Sequence, residues 1–330
     1  MGKPAGKYAA LGLFAVLSVV LGVGVGSVYI PPLKVITALM GGGDEGTRAL
    51  VLSLRLPRVV LAFLTGAALS VGGTVMQSAL NNPLASPFGL GVSAGAGLGA
   101  GAVMVLGVTG AAGAFLLPAA GFAGGLLTVL LALALARALD KRLSGVTVVL
   151  TGMVLSLFFS AIMDLMAAMN PEYAQRINLW QMGSFAAKGW RGVWVLGPVL
   201  ILCLVVFLGR AADLDLLAFG DEQAQAIGLD PRRSRRALIA LVAVLTGTAV
   251  AFSGIIGFID LVAPHVARKL FGARHRRTLP AAALLGGSFM VLCDLAARTL
   301  ASPREIPVGA VTALLGAPFF MVIFFRKGRR

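Results

Sequence analysis

Charged residues are scarce in this sequence. Asp, Glu, Lys and Arg together make up 12% of the 330 residues, roughly half of the share that is usual in soluble domains. Hydrophobic residues make up 58%, and the mean hydropathy is +0.93. Such a chain has too few charges to cover a water-exposed surface. The composition excludes an ordinary soluble globular protein and predicts an integral membrane protein.

Cysteine and histidine are also rare, with two of each. Cys203 and Cys293 lie inside apolar runs, and no disulfide framework is visible. His265 and His275 are isolated, and neither has the spacing of a metal ligand to another His, Cys or acid. The sequence has no GxxxxGK[ST] phosphate loop, no HExxH and no Ser/His/Asp set. We therefore expect a chain that is not an enzyme and that binds no ATP, cofactor or metal itself.

The apolar residues form runs that are long enough to cross a bilayer, which takes about 20 residues in a helix. Ten spans are predicted, near residues 8–30, 58–80, 90–107, 113–136, 145–169, 192–209, 236–253, 260–271, 279–300 and 307–325. With both termini cytoplasmic, most of the Lys and Arg residues fall in inner loops, as the positive-inside tendency requires. This topology accounts for the net charge of +15 and argues against nucleic-acid binding. The prediction is one all-α, multi-pass domain over residues 1–330, in the cell (inner) membrane.

The chain also contains an internal repeat at an offset of 181 residues. The matched pairs include Arg55 with Arg236 and Pro83 with Pro264. The second span runs inward and the seventh runs outward, so the repeat is inverted, as in many transporters. Each copy carries an interruption, NNPLASP in the first and IDLVAPH in the second. A broken helix is tolerated only where protein or a watery cavity surrounds it. The alternative is an ordinary polar turn between two spans.

Ionisable residues inside spans are functional candidates because hydrocarbon makes them costly. Three acids meet this description: Asp164, Asp260 and Asp294. Met163, Met166 and Met169 recur at three-residue spacing on the fifth span. Such a stripe usually belongs to a packed core, but soft side chains also suit a path for bulky cargo. We take Met163, Met166 and Asp260 as pathway candidates.

The eighth span is too short to cross. Residues 260–271 extend only about 18 Å as a helix, against a hydrocarbon core of about 30 Å. We predict that residues 253–258 re-enter the protein and that the following helix begins inside it. Asp260 would then cap the helix N-terminus. The alternative is that Asp260 faces the pathway and contacts cargo or a cation.

The most informative loop is cytoplasmic and covers residues 212–236. Four apolar residues in it form a cluster that we expect to be exposed: Leu214, Leu216, Leu217 and Phe219. The stretch DEQAQAIGL predicts a short helix that ends near Gly228. Apolar residues in a water-facing loop indicate a docking surface. The alternative is an amphipathic segment that lies on the lipid surface.

Four segments in order carry a specific resemblance: LRLPRVVLAFLTGAALSVGGTVMQSALNNPLASPFGLGVSAGAGLGA, LAFGDEQAQAIGLD, SGIIGFIDLVAPHVARKLFG and EIPVGAVTALLGAPFFMVIFFRK. Together they resemble the permease family of type II ABC importers for iron chelates (siderophores), haem and cobalamin, over nearly the whole chain. The resemblance implies a homodimer of ten-helix subunits with a translocation path at the dimer axis. It implies two ATPase subunits, which hold ATP and Mg, and one periplasmic or lipoprotein binding protein. A ferric siderophore is the favoured cargo.

The resemblance also implies roles for individual residues. The coupling helices that sit in the ATPase cleft would include Asp213, Leu214, Leu216, Leu217, Phe219, Gly220, Ala224, Gly228 and Leu229. The cytoplasmic gate would include Asn82, Pro83, Leu84, Ser144 and Gly145. Binding-protein docking would use Arg55, Arg58 and Arg298, at the outer ends of spans. At position 260 this sequence has Asp, whereas related permeases commonly have a small residue there. This difference argues against a pathway lined only by uncharged residues.

Two other classes remain open. An ion-coupled secondary transporter would also have inverted repeats and intramembrane acids, but it would not need the apolar LDLLAF loop. A membrane-anchored assembly subunit would not need inverted broken helices. Co-purification with an ATPase subunit would separate the three classes.

Overall fold

The computed structural model describes residues 4–26, 28–141 and 143–327, with side chains given to residue 322. Within these ranges the regular structure is helical throughout. The α-helices are α1 (Pro4–Gly24), α2 (Pro32–Leu39), α3 (Glu45–Ala49), α4 (Leu56–Ala79), α5 (Val92–Val105), α6 (Gly110–Leu139), α7 (Gly145–Met169), α8 (Pro171–Gln181), α9 (Arg191–Gly209), α10 (Ala211–Leu217), α11 (Asp221–Ala226), α12 (Pro231–Ser253), α13 (Ile259–Phe271), α14 (His275–Thr299) and α15 (Val308–Lys327).

Seven helical segments in the described ranges are long and apolar enough to cross a membrane. They contain α1, α4, α6, α7, α9, α12 and α14, and a π-helical turn at Leu50–Arg55 joins α3 to α4. The shorter α5, α13 and α15 supply the other three predicted spans. Each of the ten predictions thus coincides with a helix, and the all-α membrane fold is confirmed.

Helix α4 is the centre of the bundle and is buried along nearly its whole length. Small residues let its neighbours approach closely. A Cβ on Gly66 would collide with the Gly286 carbonyl of α14, and one on Gly73 would collide with the Asp260 carbonyl of α13. Since lipid is as apolar as a leucine side chain, such close backbone packing is what holds membrane helices together.

The repeat is inverted in three dimensions. Arg235, near the start of α12, donates from Nε to the carbonyl of Ala79, the last residue of α4, at 2.7 Å. The two repeat-related helices therefore lie side by side in opposite directions. One end of the bundle carries α10 and α11, and the other carries α2, α3 and α8; we call them the α10 end and the α8 end.

The second interruption is not where we placed it. IDLVAPH is helical, and the break precedes it at residues 254–258, where Phe258 has a φ of 71°. Helix α13 therefore begins inside the protein, as predicted for the short span. Pro264 has no N–H to give to the carbonyl four residues earlier. That carbonyl, of Asp260, instead accepts from Gln77 Nε2 at 3.2 Å, so a side chain of the first repeat satisfies the carbonyl that Pro264 leaves free in the second.

Candidate functional site

The NNPLASP interruption follows the end of α4 at the α10 end of the bundle. Asn81 lies in the left-handed region with a φ of 45°, which asparagine tolerates better than most residues. The side-chain oxygen of Asn82 accepts from the backbone N–H of Leu84 at 2.9 Å. Pro83 and Leu84 are exposed, while Leu80 is buried. The side chain of Asn82 thus satisfies one of the backbone N–H groups that the break leaves free.

A second loop meets this one at the start of α7. Ser144 caps α7, since its Oγ accepts from the N–H of Thr147 at 3.3 Å. A Cβ on Gly145 would lie 2.6 Å from the carbonyl oxygen of Leu80. Only glycine allows the backbones to come this close without a shift. The structure therefore brings the loop of Asn82, Pro83 and Leu84 against the loop of Ser144 and Gly145, with the contact made through Leu80. We call residues 80–87 and 143–145 the gate loops, after the role that the resemblance implies; that role stays a prediction.

Arg235 joins the end of α4 and the second gate loop to the coupling segment, which we define as α10, α11 and their connection. Its side chain is buried, and Nη1 donates to the Leu143 carbonyl at 2.7 Å while Nε donates to Ala79. Nη2 lies 2.6 Å from the carboxylate of Asp221 at the start of α11. One planar guanidinium thus holds three chain segments at once, a geometry for which arginine is suited and lysine is not.

His275 makes a second connection of the same kind. Its Nδ1 lies 2.6 Å from Asp215 Oδ1 on α10, and its Nε2 lies 2.6 Å from Ser78 Oγ on α4. Its backbone N–H also donates to Asp215 Oδ1 at 2.9 Å. The imidazole is buried, so its polar atoms need these partners. Helix α10 is therefore linked through His275 to Ser78, which lies next to the last residue of α4.

The coupling segment is less exposed than expected. Leu214 and Leu217 are fully buried, because they lie three residues apart on the face of α10 that packs on the core. The prediction of an exposed four-residue cluster is wrong for these two. Leu216 is half-buried, whereas Phe219 is 75% exposed and Ile227 is 69% exposed. The apolar surface available to a partner is thus formed by Phe219 and Ile227.

The other predicted coupling residues shape this segment. Gly220 and Gly228 have φ angles of 113° and 90°, which glycine adopts at little cost, and the short helix ends at Ala226 as predicted. Ala224 is buried, and its carbonyl accepts from the N–H of Leu229 at 3.0 Å. Asp213 accepts from Ser234 Oγ at 3.2 Å, which fastens α10 to α12.

The three predicted docking arginines lie at the α8 end. Docking of a partner protein requires exposed charges, but Arg55 and Arg298 are buried. Arg55 donates to the carbonyls of Val23 and Gly24 at 3.0 Å each, and Arg298 donates to the carbonyl of Gly22. These carbonyls lie at the end of α1, where helix C-termini attract cations.

Arg58 is held by two acids. Its Nη2 lies 2.9 Å from Oδ1 of Asp294, which is buried. Its Nη1 lies 2.8 Å from Oε1 of Glu305, which is exposed. Arg298 Nε lies 3.6 Å from the other oxygen of Asp294. These internal partners hold all three cations within the bundle. Docking of a binding protein at this end of the bundle stays a prediction.

The pathway candidates occupy interior positions. Met163 is buried against Met104 and Ile177, and Met166 is half-buried in the same cluster. Within this chain both belong to packed core, and a role in a path stays a prediction.

Asp260 is not the cap of α13. The N-cap residue is Phe258, and Asp260 lies two positions later, in the first turn. Its carboxylate accepts from the hydroxyl of Ser86 in the first gate loop. Its Oδ1 is buried and has no hydrogen-bond partner in the described part of the chain. Asp260 therefore links the first gate loop to α13.

Sequence reasoning missed Arg235 and His275. Arginine was counted only as a topological charge, and histidine was judged only by metal-ligand spacing. One signal was available for Arg235, which lies at the predicted cytoplasmic start of an apolar span, in a loop rich in aspartate.

An all-helical membrane bundle with broken helices, and with short helices at one end that are linked to the central helix, is the architecture of a transporter permease. The chain matches the model of the FecCD transport family over residues 14–326. It therefore belongs to that family.

Relatives and a solved structure agree with this assignment. The chain is 36% identical over 324 residues to the Fe(3+)-citrate import system permease protein YfmE of Bacillus subtilis, covering 97% of this chain and 96% of the relative. It is 35% identical over 327 residues to the hemin transport system permease protein HmuU of Yersinia pestis, covering 96% and 95%. A metal-chelate type ABC transporter in an inward-facing conformation matches with a TM-score of 0.86 and 30% identity, covering 98% of this chain and 99% of that one.

The chain is thus a multi-pass permease subunit of an ABC importer. Such a subunit works with ATPase and substrate-binding partners.

Proposed function

We propose that this permease forms a homodimer in the cell (inner) membrane and moves a ferric siderophore inward along the dimer axis. Its similarity to permeases named for ferric citrate, iron hydroxamate and haem supports a metal-chelate cargo. A relative from Halobacterium salinarum is named for cobalamin and is 36% identical over 291 residues, so haem and cobalamin are the competing cargoes.

The α10 end faces the cytoplasm in this proposal, as do both termini. The exposed Phe219 and Ile227 then dock into the cleft of an ATPase subunit that carries ATP and Mg. Burial of two such side chains contributes roughly 1.5–3 kcal/mol each before association costs. The binding protein docks at the α8 end.

The observation that carries this proposal is the pair of connections from the coupling segment to the end of α4, which leads into the first gate loop, and to Leu143 in the second gate loop. Arg235 ties Asp221 to the carbonyls of Ala79 and Leu143, and His275 ties Asp215 to Ser78. A movement of α10 and α11 on the ATPase would therefore displace the end of α4, and with it the first gate loop, together with the second gate loop. Rigid elements linked by polar contacts are how a small shift at one site is transmitted to another.

The test is reconstitution of the permease with its ATPase and binding protein in proteoliposomes. We expect uptake of a ferric hydroxamate to require ATP and the binding protein, and to exceed uptake of haem and cobalamin. If haem or cobalamin is taken up instead, the cargo is wrong but the class stands. Uptake driven by an ion gradient without ATP would show an ion-coupled secondary transporter and contradict the proposal.

A further inference from the structure

A cleft opens between α6, α9 and α12 at the α8 end of the bundle, far from the gate loops. It consists of a cavity of about 510 Å³, which we call the mouth, and a groove of about 350 Å³. The two share lining residues from all three helices, among them Pro118, Arg191 and Phe252. They are therefore one continuous space that runs from the helix ends toward the middle of the bundle.

The mouth is positively charged. Its lining includes Arg176 on α8, Lys188 in the α8–α9 loop and Arg191 at the start of α9, and it includes no acidic residue. Arg191 is positioned by its neighbours, since Nη1 donates to the Ala114 carbonyl at 2.9 Å and the guanidinium lies 3.8 Å from the centre of the Phe115 ring.

Arg176 and Lys188 have no ion pair or hydrogen bond with any residue that the structure describes. Burial lowers the pKa of Lys188, because a partly desolvated ammonium without a carboxylate disfavours its charge. Three cations thus surround one cavity, and the described residues supply no counter-charge to them. The positive charge of the mouth is therefore neutralised only when an anion is bound there.

The groove is apolar. Its walls include Phe122, Val195, Val199 and Val244. The hydroxyl of Thr248, which also lines it, donates to the Val244 carbonyl at 2.7 Å and offers nothing further to a ligand. The groove lies along three helices that cross the membrane, so the molecule that fills it has an apolar part at membrane depth.

We propose that this cleft binds one anionic phospholipid, with its phosphate in the mouth and an acyl chain in the groove. Guanidinium and ammonium groups are the usual protein partners of phosphate oxygens. A free phosphate would leave the groove unfilled. A single phospholipid supplies both the anion that the mouth lacks and the apolar chain that fits the groove. The proposal does not depend on the cargo.

The experiment titrates the detergent-purified, full-length permease with phosphatidylglycerol and with phosphatidylcholine, and counts bound lipid by native mass spectrometry. We expect one molecule of phosphatidylglycerol to bind about tenfold more tightly than phosphatidylcholine. The double variant Arg176→Gln/Lys188→Gln should lose this preference. The matched control Lys34→Gln/Arg304→Gln removes two exposed charges from the same end of the bundle and should retain it.

A second variant tests the groove. Ala119 is exposed and lines it, so Ala119→Trp should fill the space and weaken phosphatidylglycerol binding about tenfold. Ala161→Trp, at an exposed position of α7 outside the cleft, should have no such effect. Every substituted side chain is at least partly exposed, so we expect all variants to fold. Their melting temperatures test this expectation.

Three results would overturn the proposal. Unchanged phosphatidylglycerol binding in the double variant would mean that the mouth does not hold the headgroup. Inorganic phosphate that displaces the lipid fully, together with unchanged binding in Ala119→Trp, would show a site for a small anion. A cross-link from position 119 to a second permease chain would show that a protein covers the groove.

Discussion

Asp215 and His275 are joined twice through one oxygen: Asp215 Oδ1 lies 2.6 Å from the ring Nδ1 and 2.9 Å from the backbone nitrogen of His275. The other ring nitrogen contacts Ser78. A carboxylate on the coupling segment thus fixes the ring that touches the end of α4. Movement of α10 must either carry α4 with it or break these bonds.

The first prediction is that Asp215→Asn uncouples ATP hydrolysis from uptake. The amide has one acceptor oxygen and no charge, so the contact with the imidazole weakens by about 1–2 kcal/mol. We expect the ATPase to remain bound and active while uptake falls several-fold in proteoliposomes. Glu222→Gln is the control, because Glu222 is exposed in the same segment; it should leave uptake unchanged. Equal effects of the two variants would refute the connection.

The second prediction concerns Arg235. Arg235→Gln leaves the carbonyls of Ala79 and Leu143 without their donor and Asp221 without its cation, so we expect a loss of about 3–5 kcal/mol in stability. Asp221→Asn removes only the link to α11. It should cost much less stability, since that carboxylate is partly exposed, and should impair uptake more than melting temperature. If Asp221→Asn melts as low as Arg235→Gln, the salt bridge is structural and carries no coupling.

The third prediction separates the two kinds of apolar residue in the coupling segment. Phe219→Asp should leave the permease folded and release the ATPase during purification, because Phe219 is 75% exposed. Leu217→Asp should prevent folding, since it places a charge in a fully buried position at a cost of several kcal/mol. An intact complex with Phe219→Asp and normal hydrolysis would show that the ATPase docks elsewhere.

The fourth prediction tests the acid that holds the arginines. Asp294→Asn leaves Arg58 and Arg298 without their buried counter-charge, and we expect a loss of about 3–5 kcal/mol, read as a lower melting temperature. Asp164→Asn is the matched control, because Asp164 lies in a span but is exposed. Comparable melting of the two variants would mean that the cluster contributes little to stability.

Helix positions followed from the sequence because hydropathy and length alone define a span. The sequence did not predict which side chains of α10 are exposed, since a run of apolar residues does not indicate which face of the helix packs on the core. Leu217 and Phe219 differ in burial although both are apolar and two residues apart. The contacts of Arg235 and His275 join residues separated by 60 or more positions in most cases, and no local pattern encodes such pairings.

The last prediction concerns Asp260, where the structure favours an anchoring role. The residue is 1% exposed, its carbonyl accepts from Gln77, and its carboxylate accepts from Ser86. Asn at this position keeps an acceptor for Ser86 and removes a buried charge that has few partners. We therefore expect Asp260→Asn to fold, hydrolyse ATP and transport nearly as the parent does.

Asp260→Leu removes the acceptor as well as the charge. Ser86 then loses its partner, and the gate loop loses its anchor, so we expect lower melting and slower uptake together, with a cost of about 1–3 kcal/mol. The pair of variants separates anchoring from a direct role in transport. If Asp260→Asn melts normally and hydrolyses ATP but abolishes uptake, the negative charge itself acts on cargo or on a cation in the pathway, and the anchoring role is wrong.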